Sequence, residues 1–312
     1  MSIVLEAEHV RVEYGSFVAL PDFQLSLSAG NLLGLIGPNG AGKTTSLKAI
    51  AGLLPMTAGR VRVLGETVEP GNTSALSRIG FAPDTPPMYD EMTVEDFLRF
   101  IGRAYRVGRE MTEERIDYWL EQLWLSDRRT SKVKALSRGM KQRLTVARTL
   151  LPDPALVLLD EPAAGLDPAG RVQFRKMLGS LRDSGKALIV SSHILADLHE
   201  YCTHIGIMEG GKLRQLGTVA QVVHSQAENR CLYEITLARM VPDVQTAFGD
   251  MVGLTKLDIQ GRQISFEYEH DDEAAAAILS KLLAAGLPIA RFAPVDHDLE
   301  QAYLRTGIKQ VD

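Results

Sequence analysis

Residues 37–44 have the spacing G-x-x-x-x-G-K-[ST], and they stand between an apolar run at 32–36 and a segment with helical spacing. The glycines let the backbone curl so that its N–H groups point to one centre, and the N-terminus of the following helix favours an anion there. Lys43 can bring a positive charge to the β- and γ-phosphates of ATP, and the Thr44 hydroxyl is a suitable Mg²⁺ ligand. The segment therefore predicts a site for ATP and Mg²⁺. Its expected nucleotide contacts are Gly37, Pro38, Asn39, Gly40, Ala41, Gly42, Lys43, Thr44 and Thr45.

Two carboxylates follow a second apolar run, residues 156–159. A buried strand that ends in Asp160 puts this carboxylate at the carboxyl edge of a parallel sheet, where such folds bind their ligands. Asp160 is then expected to hold Mg²⁺, mostly through water, and Glu161 is free to polarise an attacking water molecule. Taken alone, an acidic turn after a strand would be an equally good interpretation. Beside a phosphate loop, the catalytic interpretation is favoured.

The elements that must position these residues alternate between strands and helices, which predicts an α/β fold with a mostly parallel sheet. Strands are expected within 3–36, at 61–65 as an edge strand, at 155–159 and at 187–191. A helical insertion is expected at about 86–150, with Thr93, Thr112 and Ser137 as the N-caps of its three helices. The helix after the phosphate loop is expected over 43–51, and another helix over 169–184.

The remaining third of the chain differs in pattern. Residues 218–229 are polar and are expected to connect two domains, 1–217 and 230–312. From 231 the order strand, helix, strand, strand, helix, strand suits a small α+β domain of the ferredoxin-like type, followed by a last helix at 298–305.

Composition and charge exclude several classes of protein. The formal net charge is -5, and residues 230–312 hold 8 Lys/Arg against 13 Asp/Glu, which argues against binding to nucleic acid. The two cysteines are isolated, so neither a metal motif nor a disulfide framework is indicated, and a reducing compartment fits. No signal peptide or membrane-spanning run is recognisable, so we expect a soluble or peripheral protein.

Residues 136–143 read L-S-R-G-M-K-Q-R and precede the D-E-P of 160–162. This segment resembles the signature motif L-S-G-G-Q of the nucleotide-binding subunits of ATP-binding cassette (ABC) transporters. Arg138 and Met140 depart from the usual form in a way that resembles bacterial exporter-type subunits, whereas Ser137 and Gly139 are kept. Taken alone, Ser137 would cap an ordinary helix, whose free N–H groups could also bind an anion. The resemblance implies that these groups meet the γ-phosphate of ATP held by a second subunit.

The resemblance, which covers about residues 3–217, implies roles for further residues. Tyr14 is expected to stack on adenine, although a strand aromatic is the simpler alternative. His193 matches the switch histidine that contacts the γ-phosphate, so the expected catalytic residues are Glu161, His193 and Lys43. Asp84 stands where the family usually has Gln, and it is expected to reach Mg²⁺ through water. The expected metal ligands are Thr44, Asp160 and Asp84, and residues 164–167 resemble the dimer-contact loop.

A transporter subunit implies partners. The resemblance points to an ATPase with the P-loop ABC fold that works as a homodimer or heterodimer and powers export through a separate membrane-spanning permease. Residues 84–96, with Met88 and Tyr89, are the expected contact with that permease, at the cytoplasmic face of the inner membrane. Residues 298–304 resemble a closing segment common in exporter-type subunits, with an amphipathic helix as the alternative. Two other hypotheses are a non-transport ABC ATPase and a regulatory module that closes on ATP without hydrolysing it.

Overall fold

The computed structural model of the chain describes residues 2–85, 87–192, 198, 201–224, 230–242, 244–249, 253–269 and 272–294. Contacts divide the chain into two compact units, one up to Val219 and one from Ala220. Each unit has a hydrophobic core of its own. The division falls inside the predicted connection 218–229, while the domain bounds themselves stay a prediction. None of the helices in the described ranges has the length and apolarity needed to cross a bilayer.

The first unit begins with an antiparallel sheet of four strands in the order β2-β1-β4-β5. Alternating residues of its long strands face the core, as period-two patterning requires. The prediction of an edge strand at 61–65 is wrong, because β4 pairs with β1 on one side and with the two-residue β5 on the other. The strands are β1 (Ile3–Tyr14), β2 (Phe17–Ser28), β4 (Ala58–Val63) and β5 (Glu66–Thr67).

The second sheet positions the site. Its order is β10-β9-β3-β8-β7-β6, and all neighbours are parallel except β9 and β10, which form a hairpin with its turn at Gly210-Gly211. Strands β3, β7 and β8 are buried along their whole length, as expected of a parallel sheet covered on both faces. The strands are β3 (Leu32–Ile36), β6 (Ile79–Ala82), β7 (Leu156–Asp160), β8 (Ala187–Ser192), β9 (His204–Glu209) and β10 (Lys212–Thr218).

The predicted helices of the first unit are present with one corrected start, and two short helices, Thr73–Ser77 and Val219–His224, were not predicted. Thr93 and Ser137 are confirmed as N-caps, since their side chains accept hydrogen bonds from the backbone N–H groups of Asp96 and Met140. Thr112 is not a cap: α4 begins at Arg109, and the Thr112 hydroxyl donates to the carbonyl of Gly108 at 2.9 Å. The helices are α1 (Lys43–Ile50), α2 (Thr73–Ser77), α3 (Val94–Ala104), α4 (Arg109–Gln122), α5 (Arg138–Leu150), α6 (Pro168–Asp183), α7 (Val219–His224) and α8 (Asp272–Ala284).

The second unit has an antiparallel sheet in the order β12-β13-β11-β14. Numbered within the unit this is 2-3-1-4, which is the strand order of the predicted split βαβ module. A 3₁₀ helix, Val244–Phe248, replaces the first predicted helix, and the predicted last helix at 298–305 lies outside the described residues. The strands are β11 (Arg230–Leu237), β12 (Thr255–Gln260), β13 (Gln263–Glu269) and β14 (Ile289–Pro294).

Candidate functional site

The phosphate loop joins the carboxyl end of β3 to the first residue of α1, so the N-terminus of that helix opens at the sheet edge. Two of its glycines are needed for space. A Cβ on Gly37 would lie 2.4 Å from the carbonyl oxygen of Met208. Gly42, the N-cap of α1, has a φ of 101°, and a Cβ there would also crowd Leu20 at 3.0 Å. The loop thus follows a path that side chains at these positions would block.

Lys43 is buried at the base of the loop. Its Nζ donates to the carbonyl oxygens of Gly37 and Pro38 at 2.6 and 3.1 Å. Burial lowers the pKa of the Lys43 ammonium, whereas the carboxylates of Glu161 and Asp160 act in the opposite direction. An ammonium that has lost much of its water attracts a phosphate more strongly than an exposed one does.

The Asp160 carboxylate is held between two neighbouring segments of the sheet edge. The Thr44 hydroxyl donates to Asp160 Oδ2 at 2.8 Å, and the Ser191 hydroxyl donates to Asp160 Oδ1 at 2.6 Å. Ser191 Oγ also accepts the backbone N–H of Glu161 at 3.0 Å. Glu161 has a φ of 48°, a left-handed conformation that is uncommon for this residue type.

A cavity of about 400 Å³ opens in front of these groups and contains most of the predicted site. Tyr14, half exposed, stands on its wall, and Asp84 is brought to the same space from the loop after β6. The cavity is lined by Tyr14, Phe17, Ala19, residues 39–45, Asp84, Asp160 and Glu161. Its size and its mixture of backbone N–H groups, one ammonium and three carboxylates suit a phosphate ligand accompanied by a cation.

Thr44 and Asp160 offer oxygen donors that fit Mg²⁺. The Thr44 hydroxyl and an Asp160 carboxylate oxygen lie within 2.8 Å of each other, and both are oxygen ligands of the kind Mg²⁺ prefers. The described residues contain no group of three or more His, Cys, Asp or Glu side chains that could form a complete cage. Mg²⁺ usually takes one or two protein ligands and completes its shell with water and phosphate oxygens, so the residues present fit it.

The signature residues lie apart from this cavity in the same chain. Ser137 and Gly139 are not among its described lining residues. Gly139 instead packs against the loop before α6, where an added Cβ would meet the carbonyl oxygen of Gly165 at 2.9 Å. The signature helix and the loop at 164–167 thus lie against each other within one chain. His193 lies outside the described residues.

Sequence reasoning missed Ser191. A serine within an apolar strand carries no motif of its own. The available signal was its parallel position beside Asp160, which requires the strand order and register of β7 and β8. Phe17 and Ala19 on the cavity wall were missed as well, because they follow the turn after Tyr14 and read only as strand residues.

The chain is similar to ATP-binding proteins of ABC transporters. The family model for ABC transporters matches residues 20–164. An uncharacterized ABC transporter ATP-binding protein of Synechocystis sp. is 38% identical over 208 residues, which are 66% of this chain and 58% of that protein. The Nod factor export ATP-binding protein I of Cupriavidus pinatubonensis is 34% identical over 226 residues, which are 72% of this chain and 70% of that protein. The protein of the same name from Ralstonia nicotianae aligns over 99% of this chain and 95% of its own length at 29% identity.

Among solved structures, one described as the ATP binding subunit of an ABC transporter has a TM-score of 0.67 and 30% identity. The match covers 72% of this chain and 92% of the solved chain. The fold and site thus define an ATP-binding protein of the P-loop class. The chain belongs to the ATP-binding subunits of ABC transporters, an ATPase family, as the signature at 136–143 predicts.

Lys43→Met tests the phosphate site. We expect ATP affinity to fall by roughly tenfold or more, equivalent to ~1.4 kcal/mol, because the ammonium facing the phosphates is removed. The thermal unfolding temperature of the protein without nucleotide should not fall. Burial of the Lys43 charge opposes folding, so loss of that charge should not destabilise the folded state. The measurements are isothermal titration calorimetry with ATP and thermal unfolding. Lys48→Met, on the same helix, is the matched control and should bind ATP normally; equal affinities of the two variants would contradict the assignment.

Proposed function

We propose that this chain is the ATP-hydrolysing subunit of an exporter and that it works as a dimer with composite sites. The observation that carries the proposal is the separation of the two halves of the site within one chain. The cavity holds the phosphate loop, Asp160 and Glu161, while Ser137 and Gly139 contribute nothing to its described lining. A second subunit, in the simplest case another copy of this chain, would supply Ser137 and Gly139 to the γ-phosphate.

Each group has a role in the proposed reaction. Lys43 and the N–H groups of residues 37–45 hold the phosphates, and Thr44 with Asp160 would hold Mg²⁺, which neutralises phosphate charge when bound. Glu161 accepts the proton of the attacking water, and its place in the lining of the cavity supports this assignment. The presence of Lys43, Asp160 and Glu161 in one cavity favours turnover over a module that only closes on ATP. The role of His193 rests on the resemblance alone.

Asp84 and Tyr14 are assigned by their position on the cavity wall. Among the described residues, the Asp84 carboxylate accepts one long hydrogen bond, 3.4 Å, from the neighbouring Thr85 hydroxyl, so it can turn toward a hydrated Mg²⁺. Its extra negative charge beside Asp160 and Glu161 should make nucleotide binding depend more strongly on the cation than a glutamine would. The Tyr14 ring, 50% exposed, offers a face on which adenine can stack.

The proposed membrane partner needs a docking surface. A groove of about 470 Å³ lies beside the loop after β6, and its lining includes Leu53, Phe81, Pro87, Ile101 and Tyr105. Leu53 and Tyr105 are 59% and 46% exposed and line the same groove, so each can contact a partner there. We propose that a cytoplasmic segment of the permease occupies this groove.

Charge at the groove supports a protein occupant with an acidic side chain. The Arg148 guanidinium lines the groove, donates to the carbonyl oxygen of Pro87 at 3.2 Å, and has its pKa lowered by burial. No carboxylate within the described residues pairs with it. Of the predicted contact segment 84–96, Pro87 belongs to this groove and Tyr89 is exposed with its ring 5.3 Å from that of Phe100. Met88 lines a different cavity.

The proposed setting follows from these partners. We place the chain at the cytoplasmic face of the inner membrane, held there by the permease, because ATP is supplied on that side.

The acidic balance of residues 230–312 argues against nucleic acid as a partner. The separate core of the second unit supports our proposal that residues 230–312 form a domain of their own. The names of the Nod factor relatives support export as the direction of transport.

Glu161→Gln tests the hydrolytic role. The amide cannot accept the proton of water, so we expect kcat to fall by about 10²- to 10⁴-fold with ATP affinity retained. Phosphate release and nucleotide binding are measured on the same preparation. Glu110→Gln, an exposed position on α4, is the control and should behave as the parent chain does. Hydrolysis at a near-normal rate by the Glu161 variant would contradict the assignment of Glu161 as the general base.

Replacing Leu53 and Tyr105 together by serine tests the groove. Removal of two exposed apolar anchors should abolish binding to the permease while ATP binding by the isolated chain is unchanged. The readout is the amount of multi-span membrane protein that co-purifies with the tagged chain from detergent-solubilised membranes. Tyr118→Ser, an equally exposed tyrosine on α4 outside the groove, is the control. Undiminished co-purification of the double variant would show that the permease docks elsewhere.

A further inference from the structure

Ser191 occupies a fully buried position at the carboxyl end of β8, directly beside Asp160 in the parallel register with β7. Its hydroxyl makes two hydrogen bonds of opposite direction. It donates to Asp160 Oδ1 at 2.6 Å and accepts from the backbone N–H of Glu161 at 3.0 Å. One small side chain from a different strand therefore contacts both residues of the acidic pair.

The contact with Asp160 fixes the orientation of its carboxylate. In this structure one oxygen is held by Thr44 and the other by Ser191. The proposed function requires the Thr44 hydroxyl to bind Mg²⁺ through its oxygen, and its O–H can still donate to Asp160 Oδ2, so both contacts of Asp160 are compatible with the metal. Ser191 is fully buried and is not among the described lining residues of the cavity, so a ligand there need not displace its bond to Oδ1. It can keep Oδ2 directed at the metal position throughout.

The contact with Glu161 acts through the backbone. Glu161 has a φ of 48°, and this left-handed turn is what directs the chain out of β7. A residue with a side chain adopts such a conformation only where neighbouring groups fix it. The N–H of Glu161 is fixed by Ser191 Oγ, so the direction in which the Glu161 side chain leaves the strand depends on that hydroxyl.

We infer that Ser191 is a positioning residue for ATP hydrolysis. It fixes the metal-binding carboxylate and the backbone of the general base in one mutual orientation. The inference rests on the proposed roles of Asp160 and Glu161. If so, loss of the Ser191 hydroxyl should weaken cation binding and slow turnover. The contacts that Lys43 and the phosphate loop make with ATP should remain.

The experiment compares Ser191→Ala with a matched control, Thr203→Ala, and with Glu161→Gln. Thr203 Oγ1 also bridges one donor and one acceptor, since it accepts the N–H of Leu32 at 2.9 Å and donates to its carbonyl oxygen at 3.1 Å. It does so at the amino end of the same sheet, away from the cavity. Each variant is assayed for kcat and KM, for thermal unfolding, and for ATP binding in EDTA. Mn²⁺ binding in the presence of a non-hydrolysable ATP analogue is followed by electron paramagnetic resonance.

For Ser191→Ala we expect a kcat roughly 10- to 100-fold lower, the range found when a side chain that orients a metal ligand is removed. Mn²⁺ affinity should fall several-fold, and ATP binding in EDTA should stay within about twofold of the parent. Ser191→Cys keeps a weaker donor at the same place and should recover part of both losses. It also provides the test if the alanine variant does not fold. Thr203→Ala should lose thermal stability alone.

Equal kinetic effects of the Ser191 and Thr203 variants would overturn the inference, because both would then act through stability. Normal Mn²⁺ affinity together with normal kcat in Ser191→Ala would overturn it too. These outcomes are distinct from failure of the proposed function. If Glu161→Gln hydrolyses ATP normally, the assigned chemistry is wrong; if Glu161→Gln is inactive and Ser191→Ala is normal, only the role of Ser191 is wrong.

Discussion

The site depends on the Asp160 carboxylate, which is held at the sheet edge by two hydroxyls from other segments of the same sheet edge. Thr44 comes from the start of the helix after β3, and Ser191 from the end of β8. These bonds form only if β3, β8 and β7 are parallel, adjacent and in register. The three strands are buried along their whole length, so a change of register would force apolar side chains on both faces of the sheet to repack.

The same sheet edge also organises the ligand cavity. The loop after β3 supplies backbone N–H groups and Lys43, the end of β7 supplies carboxylates, and the loop after β6 supplies Asp84. The carboxyl ends of three strands thus supply the polar groups of the cavity, as in other open α/β sheets that bind ligands there. The antiparallel sheet adds the wall with Tyr14. Ser137 and Gly139 of the signature are not among the described lining residues of this cavity, which is why dimer formation is central to our account.

Much of the fold and of the nucleotide site could be predicted from sequence because those features are local. The phosphate loop is contiguous, and its glycines, lysine and threonine carry their function in their spacing. The caps Thr93 and Ser137 are local too. The prediction of Thr112 as an N-cap is wrong because the helix begins one turn earlier, after Gly108. The Thr112 hydroxyl then bonds a backbone carbonyl within the helix and caps nothing. The role of Ser191 could not be predicted, since it arises from the register of two strands that are 30 residues apart in the chain.

The most direct test of the composite site mixes two inactive variants, Glu161→Gln and Ser137→Asp. The aspartate keeps a side chain that can cap α5 but repels the γ-phosphate. In a dimer that contains one copy of each variant, one of the two sites has an intact phosphate half and an intact signature half. Our account predicts that phosphate release by an equimolar mixture recovers to about a quarter of the parent rate, as random pairing in a symmetric dimer requires. A mixture as inactive as its two components would contradict the claim that two subunits build each site.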